Sequence, residues 1–377
     1  MAGSYQKRGD HSYLLTYHIG YDTDGKRIRK TRTVKAKNDS EAEIKLAEFI
    51  TEIEAGEYVA PSKTKFGDYI KIWRKDMAKQ VAPKTLETYD YTIHKWLLPV
   101  FSHMKIQDID HVQINAYLEK LEERNLSSST LIRHYNILNS IFKLAVRNET
   151  TKKNPVEKVS RPSVTYKEGD VYTTEELQEL YRLLNKEENQ QQALIVKVAL
   201  MTGMRKGEIL ALQWKDVDFE KNIIHVRHSL SHTKEQGYIL KEPKTKKSIR
   251  KVAPPEKLMH DLQKHRTQKE EDRANAQELW EGGTYFFVFS SDLGKPLYPN
   301  APDRWLRRFF QRTGFKKVRF HDLRHTSATT LINRGANMHT ISKRLGHTNI
   351  TTTMNLYGHY LEEADKELAQ LFNEDYI

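Results

Sequence analysis

The chain has 377 residues, 38% hydrophobic and 30% charged, with a formal net charge of +12 and no cysteine. That length allows two or three domains with their own cores, and the missing cysteine excludes disulfides, thiolate catalysis and cysteine-ligated zinc. No apolar run approaches the roughly 18 residues of a membrane span. The opening Met1-Ala2-Gly3-Ser4 carries no apolar signal core, so the expectation is a cytoplasmic protein with no membrane partner.

Excess positive charge favours a polyanionic partner. Residues 1–37 hold nine Lys and Arg against three Asp, half of the net charge in a tenth of the chain. Residues 12–19 alternate Tyr13, Leu15, Tyr17 and Ile19 with smaller or polar residues, a strand pattern. Asp24-Gly25 predicts a two-residue hairpin turn, and the return strand, 26–34, carries Arg27, Arg29, Thr31 and Thr33 on one face. A helix follows, capped by Asp39 or Ser40, with Ala42, Leu46, Phe49, Ile50 and Ile53 at helical spacing. A small sheet braced by one helix can lay basic strands in a DNA groove. Arg27, Arg29 and Arg32 are the candidate contacts.

Residues 56–65, with Pro61, read as a linker. Helices are predicted over 66–79, 84–97, 112–124 and 129–147, joined by short loops into a compact bundle. In the last helix Leu131, Tyr135, Leu138, Ile141, Phe142 and Ala145 form the buried stripe, leaving Arg133, His134, Asn136 and Lys143 more exposed. Lys84, Arg133 and His134 are taken as DNA contacts of this bundle. A second linker is expected over 154–170, which contains Pro155, Pro162 and Gly169. Beyond it, helices at 174–185 and 191–201 precede a β-rich stretch at 223–252, and helices then return.

That third segment carries an ordered set of short motifs. They are Thr202-Gly203-Met204-Arg205-Lys206-Gly207-Glu208-Ile209-Leu210, Pro243-Lys244-Thr245-Lys246, His321-Asp322-Leu323-Arg324-His325 and Leu345-Gly346-His347, with Tyr357 ten residues past that histidine. Their order and spacing resemble the catalytic domain of tyrosine recombinases, the integrases of phages and mobile elements. The resemblance implies a multidomain α+β chain: an arm-type DNA-binding domain over 1–58 (a three-stranded sheet plus helix), a helical core-binding bundle over 64–155, and a mainly α catalytic domain with a small β-sheet over 170–377.

The residue types support the same chemistry. Cutting a phosphodiester without metal or water requires a protein nucleophile, and a tyrosine phenol, with a pKa near 10, needs help losing its proton. The phosphate gains a second negative charge in the transition state, and the planar donors of Arg205 and Arg324 suit a clamp on its oxygens. The departing 5′ oxygen needs a general acid. The resemblance implies Lys244 in that role, although Lys241, Lys246, Lys247 and Lys251 crowd the same stretch. It also implies that His321 assists proton transfer, His347 bonds the scissile phosphate and Tyr357 is the nucleophile. Glu208, three residues after Arg205, orients the site. Tyr360, one turn beyond Tyr357, is the competing nucleophile, and His325 is read as structural.

Other readings remain. His321, His325 and His347 could chelate zinc, but Arg324 beside them repels a cation; no metal or cofactor is expected. A type IB topoisomerase uses similar residues, and an idle DNA-binding regulator could retain the scaffold. The integrase reading implies arm-type and core-type sites on double-stranded DNA, a homotetramer on that DNA, an accessory directionality factor or DNA-bending protein, and integration and excision of a prophage or mobile element in a bacterial host. The helical stretch at 361–372, with Leu361, Ala364, Leu368 and Leu371 on one stripe, packs either on its own domain or on a neighbouring protomer.

Overall fold

The computed structural model describes residues 3–56, 58–60, 62–163, 170–241 and 249–346. Lys244, His347, Tyr357, Tyr360 and the predicted helix at 361–372 therefore lie outside the described residues. The chain divides into two compact units, 1–166 and 167–377.

The first unit opens with an antiparallel sheet of β1 (Ser4–Gly9), β2 (Ser12–Tyr21) and β3 (Arg27–Lys35), with β2 in the centre. Alternation along β2 buries Tyr13, Leu15 and Tyr17 against Ala42, Leu46 and Phe49 of α1 (Asp39–Glu54). Ile19, expected on that face, is 39% exposed. The phenol oxygens of Tyr13 and Tyr17 donate to the carboxylates of Asp39 and Glu54, each at 2.7 Å, at opposite ends of the helix.

Three local expectations need correction here. The hairpin closes on Asp22 and Lys26, whose N–H and carbonyl pair at 2.9 Å, so the turn is longer than Asp24-Gly25 alone. Gly25 takes the left-handed position at φ +77° while Asp24 keeps a negative φ, the arrangement of a three-residue loop. The helix cap is Asn38, whose side chain accepts from the Glu41 N–H. Arg32 does not share the face of Arg27 and Arg29, because period-two alternation turns it toward α1. There it pairs with Glu52 at 2.7 Å and lies over the rings of Phe49 and Tyr58.

The bundle comprises α2 (Phe66–Met77), α3 (Pro83–Thr92), a π turn (Ile93–Leu97) leading into α4 (Leu98–Phe101), α5 (His111–Glu123) and α6 (Ser128–Arg147). Phe66, Trp73, Leu97, Ile114, Leu138 and Phe142 fill its centre. Both expected linkers are partly packed. Tyr58 is buried in the sheet module with its hydroxyl donating to the Thr31 carbonyl, and Val156 and Val159 enter the bundle core. An apolar residue beside a proline-bearing segment still seeks burial, which composition alone conceals.

His134 is the clearest reversal. It lies on the inner stripe of α6, 1% exposed, with its Nδ1 2.6 Å from the Tyr117 hydroxyl and Trp96 edge-on to the ring, so it offers no surface to DNA. Burial, with Arg133 assisting, pushes its pKa down to about 4 from 6.5. The folded bundle therefore resists a proton that the unfolded chain accepts. Its contribution to stability is complete above pH 6.5 and is lost as pH falls toward 4, about 3 kcal/mol in all. Hydrogen exchange of α6 amides at pH 7 and pH 5 should show wild type losing protection more steeply than His134→Gln; equal losses would contradict the assignment.

The second unit is built around α8 (Gln190–Thr202), in which every residue from Ala193 to Leu200 is buried. An apolar run of that length must be covered on all sides, and α7 (Thr174–Asn185), α10 (Glu256–Ala276), α11 (Ala301–Thr313) and α12 (Phe320–Ile332) cover it. Lys197, within the run, reaches Asp261 at 3.0 Å. The short α9 (Lys206–Leu210) leads to two small antiparallel sheets. One orders β4 (Val217–Asp218), β5 (Ile223–Val226) and β8 (Arg250–Val252); the other pairs β6 (Ser229–Thr233) with β7 (Gly237–Lys241). The helix α13 (Met338–Leu345) packs on α12. Among the described residues no helix is long and apolar enough to cross a membrane.

Candidate active site

Arg205 is the N-cap of α9, held extended between the end of α8 and the first turn of the next helix. Glu208, at the third helical position, accepts from the Arg205 backbone N–H at 2.8 Å and from its Nη1 at 3.0 Å. The spacing of three residues is thus a capping box that fixes the arginine's base and aims its side chain. That side chain is 40% exposed, whereas Glu208 is buried.

Arg324 projects from the first two turns of α12 and is buried. Its terminal nitrogens donate to the carbonyls of Gly203 and Leu345, the latter at 2.7 Å. Arg205 donates to the next carbonyl, that of Gly346, at 3.2 Å. The two guanidinium groups thus meet at one turn, the C-terminal end of α13, where the partial negative charge of the helix end favours cations. His347 follows that turn directly in the sequence.

His321 precedes Arg324 by one turn, and its ring meets that of His325 edge-on at 5.0 Å. His321 itself is exposed to solvent. Desolvation, followed by the positive fields of His325, Arg324 and Arg205, holds its pKa at about 4, so the ring is neutral at physiological pH. A neutral imidazole beside two arginines can accept and pass a proton without adding to the local charge.

The structure therefore brings together Arg205, Glu208, His321 and Arg324 from two separated stretches of sequence. Of the DNA contacts expected in the first unit, Arg27, Arg29, Lys84 and Arg133 are exposed, Lys84 in an ion pair with Glu87; His134 and Arg32 are turned inward as described. Among the described residues no group of three or more His, Asp or Glu could hold a metal ion.

Sequence reasoning missed Arg250. It sits on β8 with Val252 on the same buried face, and its guanidinium grips both oxygens of Glu208, at 3.1 and 2.8 Å. The signal was present: alternation through Ile249-Arg250-Lys251-Val252 sends Arg250 inward with Val252 and leaves Ile249 and Lys251 exposed. Burial alone would raise the pKa of Glu208. The hydrogen bonds and charge of Arg250, then the N–H and charge of Arg205, hold it below the ordinary carboxylate range.

The family described as "Phage integrase family" matches residues 170–364, and "Phage integrase, N-terminal SAM-like domain" matches 65–122. A "Tyrosine recombinase XerC-like" protein of Caldanaerobacter subterraneus subsp. tengcongensis is 31% identical over 394 residues, covering 99% of each chain. The ICEBs1 integrase of Bacillus subtilis is 29% identical over 377 residues, covering 98% of this chain and 99% of that one. Among solved structures, a Tn1549 transposon integrase in complex with a circular intermediate DNA aligns with a TM-score of 0.67 at 21% identity, over 80% of this chain and 99% of that chain. A lambda integrase tetramer bound to a Holliday junction aligns with a TM-score of 0.58 at 17% identity, over 93% of this chain and 94% of that one.

Proposed function

Because the chain belongs to the phage integrase family of tyrosine recombinases, we propose that Arg205 and Arg324 clamp a DNA phosphate beside the end of α13 while Tyr357 attacks its phosphorus. The chain is a site-specific DNA recombinase of the kind carried by mobile elements, and DNA is its partner. The observation that carries the residue assignment is the convergence of both guanidinium groups on consecutive carbonyls, Leu345 and Gly346, immediately before His347.

In the proposed reaction the phenolic oxygen of Tyr357 forms a bond to phosphorus as the bond to the 5′ oxygen breaks. The phenol proton passes toward the neutral ring of His321, and the leaving oxygen takes a proton from Lys244. The product is a 3′-phosphotyrosine ester and a free 5′ hydroxyl. Attack by a 5′ hydroxyl from the other duplex reverses each transfer, releases the phenol and rejoins the strand without ATP. The arginines carry the charge that builds on the non-bridging oxygens, and His347 bonds the same phosphate.

Residues 170–377 form the catalytic domain in this reading. Residues 64–155 grip the core-type site through Lys84 and Arg133, and residues 1–58 present Arg27 and Arg29 to arm-type sites. Each N-terminal module encloses its own hydrophobic cluster, which supports that division. A homotetramer holding two duplexes completes the exchange through a Holliday junction.

Incubation with a nicked suicide substrate tests the nucleophile, because the cleaved strand diffuses away and traps the ester. Wild type should yield a covalent adduct on denaturing gels and Tyr357→Phe none. An adduct persisting in that variant would transfer the role to another residue, Tyr360 first. Relaxation of any supercoiled plasmid without site dependence would favour a topoisomerase.

A further inference from the structure

We propose that Arg250 is a positioning residue for strand cleavage: it sets Glu208 and the terminal turn of α13, and through them aims Arg205 at the scissile phosphate. The inference rests on the reading of Arg205 as one arm of the phosphate clamp.

Three successive carbonyls at the end of α13 accept from three different arginines. Arg344 O takes the Arg250 Nε at 2.7 Å, Leu345 O takes Arg324, and Gly346 O takes Arg205. Only Arg250 of the three is also bidentate on Glu208, whose two oxygens hold the Arg205 backbone and side chain. The contacts close a ring: Arg250 to Glu208, Glu208 to Arg205, Arg205 to Gly346, and back through Arg344 to Arg250. A ring of charge-assisted bonds restricts each member's rotamers, and a misplacement of 1 Å at a reacting group can cost on the order of a hundredfold in rate.

The fit at the turn is close. Gly346 adopts φ +68°, and a Cβ there would lie 3.0 Å from the Arg250 Nη1 and 3.1 Å from its Cδ. Arg250 thus fills the space against the turn that carries the chain into His347. The charge arrangement has the same sense. One buried carboxylate faces Arg205 from its own helix and Arg250 from β8, and Arg344 stands next to Arg250. The excess positive charge is left to Arg205 and Arg324, the groups given to the phosphate.

The test is the single-turnover rate of adduct formation on the suicide substrate with the full chain, beside a gel-shift affinity for the uncleaved site and hydrogen exchange of α8 as a fold control. Arg250→Lys keeps the charge but loses the fork on Glu208. It should slow adduct formation by on the order of ten- to a hundredfold with unchanged DNA affinity. Its rate should also gain a rising acid limb, because Glu208 without its partner titrates at higher pH, and Arg250→Lys combined with Glu208→Gln should lose that limb. Arg250→Gln with Glu208→Gln replaces the ion pair by facing amides, and the combined loss should be no greater than that of Glu208→Gln alone. A wild-type rate in Arg250→Lys, or multiplying losses in either double variant, would overturn the proposal. If Arg250→Lys loses α8 protection, the amide pair carries the decision. Arg205→Lys is the separate control: an undiminished rate there removes the clamp reading itself.

Discussion

Arg324→Lys should form adduct at least on the order of a hundredfold more slowly than wild type while binding the same DNA site. The guanidinium of Arg324 makes two divergent bonds at once, to Gly203 at the end of α8 and to Leu345 at the end of α13. A lysine ammonium is a point charge on a flexible stem; it can neutralise but cannot hold two carbonyls and a phosphate in one plane. The loss should therefore fall on the rate of the chemical step and leave the gel-shift affinity, which many other cations supply, nearly intact. A parallel drop in affinity and rate would mean that Arg324 contributes to binding alone. A wild-type rate would remove it from the clamp.

The helices around this site were legible because each carries a strong local signal. Thr174–Asn185 begins at a Thr173 capping box with Glu176 and coincides with its predicted span, and the buried run of α8 announces itself in eight consecutive positions. The motif residues Arg205, Glu208, His321 and Arg324 could be named because their order and spacing resemble those of tyrosine recombinases. What spacing could not supply was the direction of polar side chains in half-buried positions. His134 looks like a surface histidine beside Arg133 until the bundle closes over it, and Arg32 looks like one more basic residue of a basic strand until Glu52 and two rings claim it. Arg250 failed for the same reason in the opposite sense. A cationic run at 244–251 suggests a solvated surface, yet alternation places one of its members in the centre of the site. Tertiary partners decide these cases, and they come from residues 17 to 94 positions away.

Glu208→Ala should destabilise the second unit by roughly 3–5 kcal/mol, because it leaves the buried guanidinium of Arg250 without its carboxylate. The N-cap of α9 loses its reciprocal bond at the same time, about 1 kcal/mol more. The sign of the pH dependence is fixed by the direction of the shift. A carboxylate held below its ordinary pKa contributes stability above that ordinary value, and the contribution is lost as pH falls through the folded value. Wild type should therefore have an acid limb in the stability of this unit that Glu208→Gln lacks, measurable as α8 amide protection between pH 6 and 3. An identical limb in both would place the titrating group elsewhere. The combination Glu208→Leu with Arg250→Met separates fold from chemistry. Two apolar side chains of similar length can fill the space of a buried ion pair at little or no loss of stability, so protection should return toward wild type. Adduct formation should not return with it, because Arg205 would then lack the carboxylate that aims it. If protection and cleavage recovered together, Glu208 and Arg250 would be no more than a structural pair.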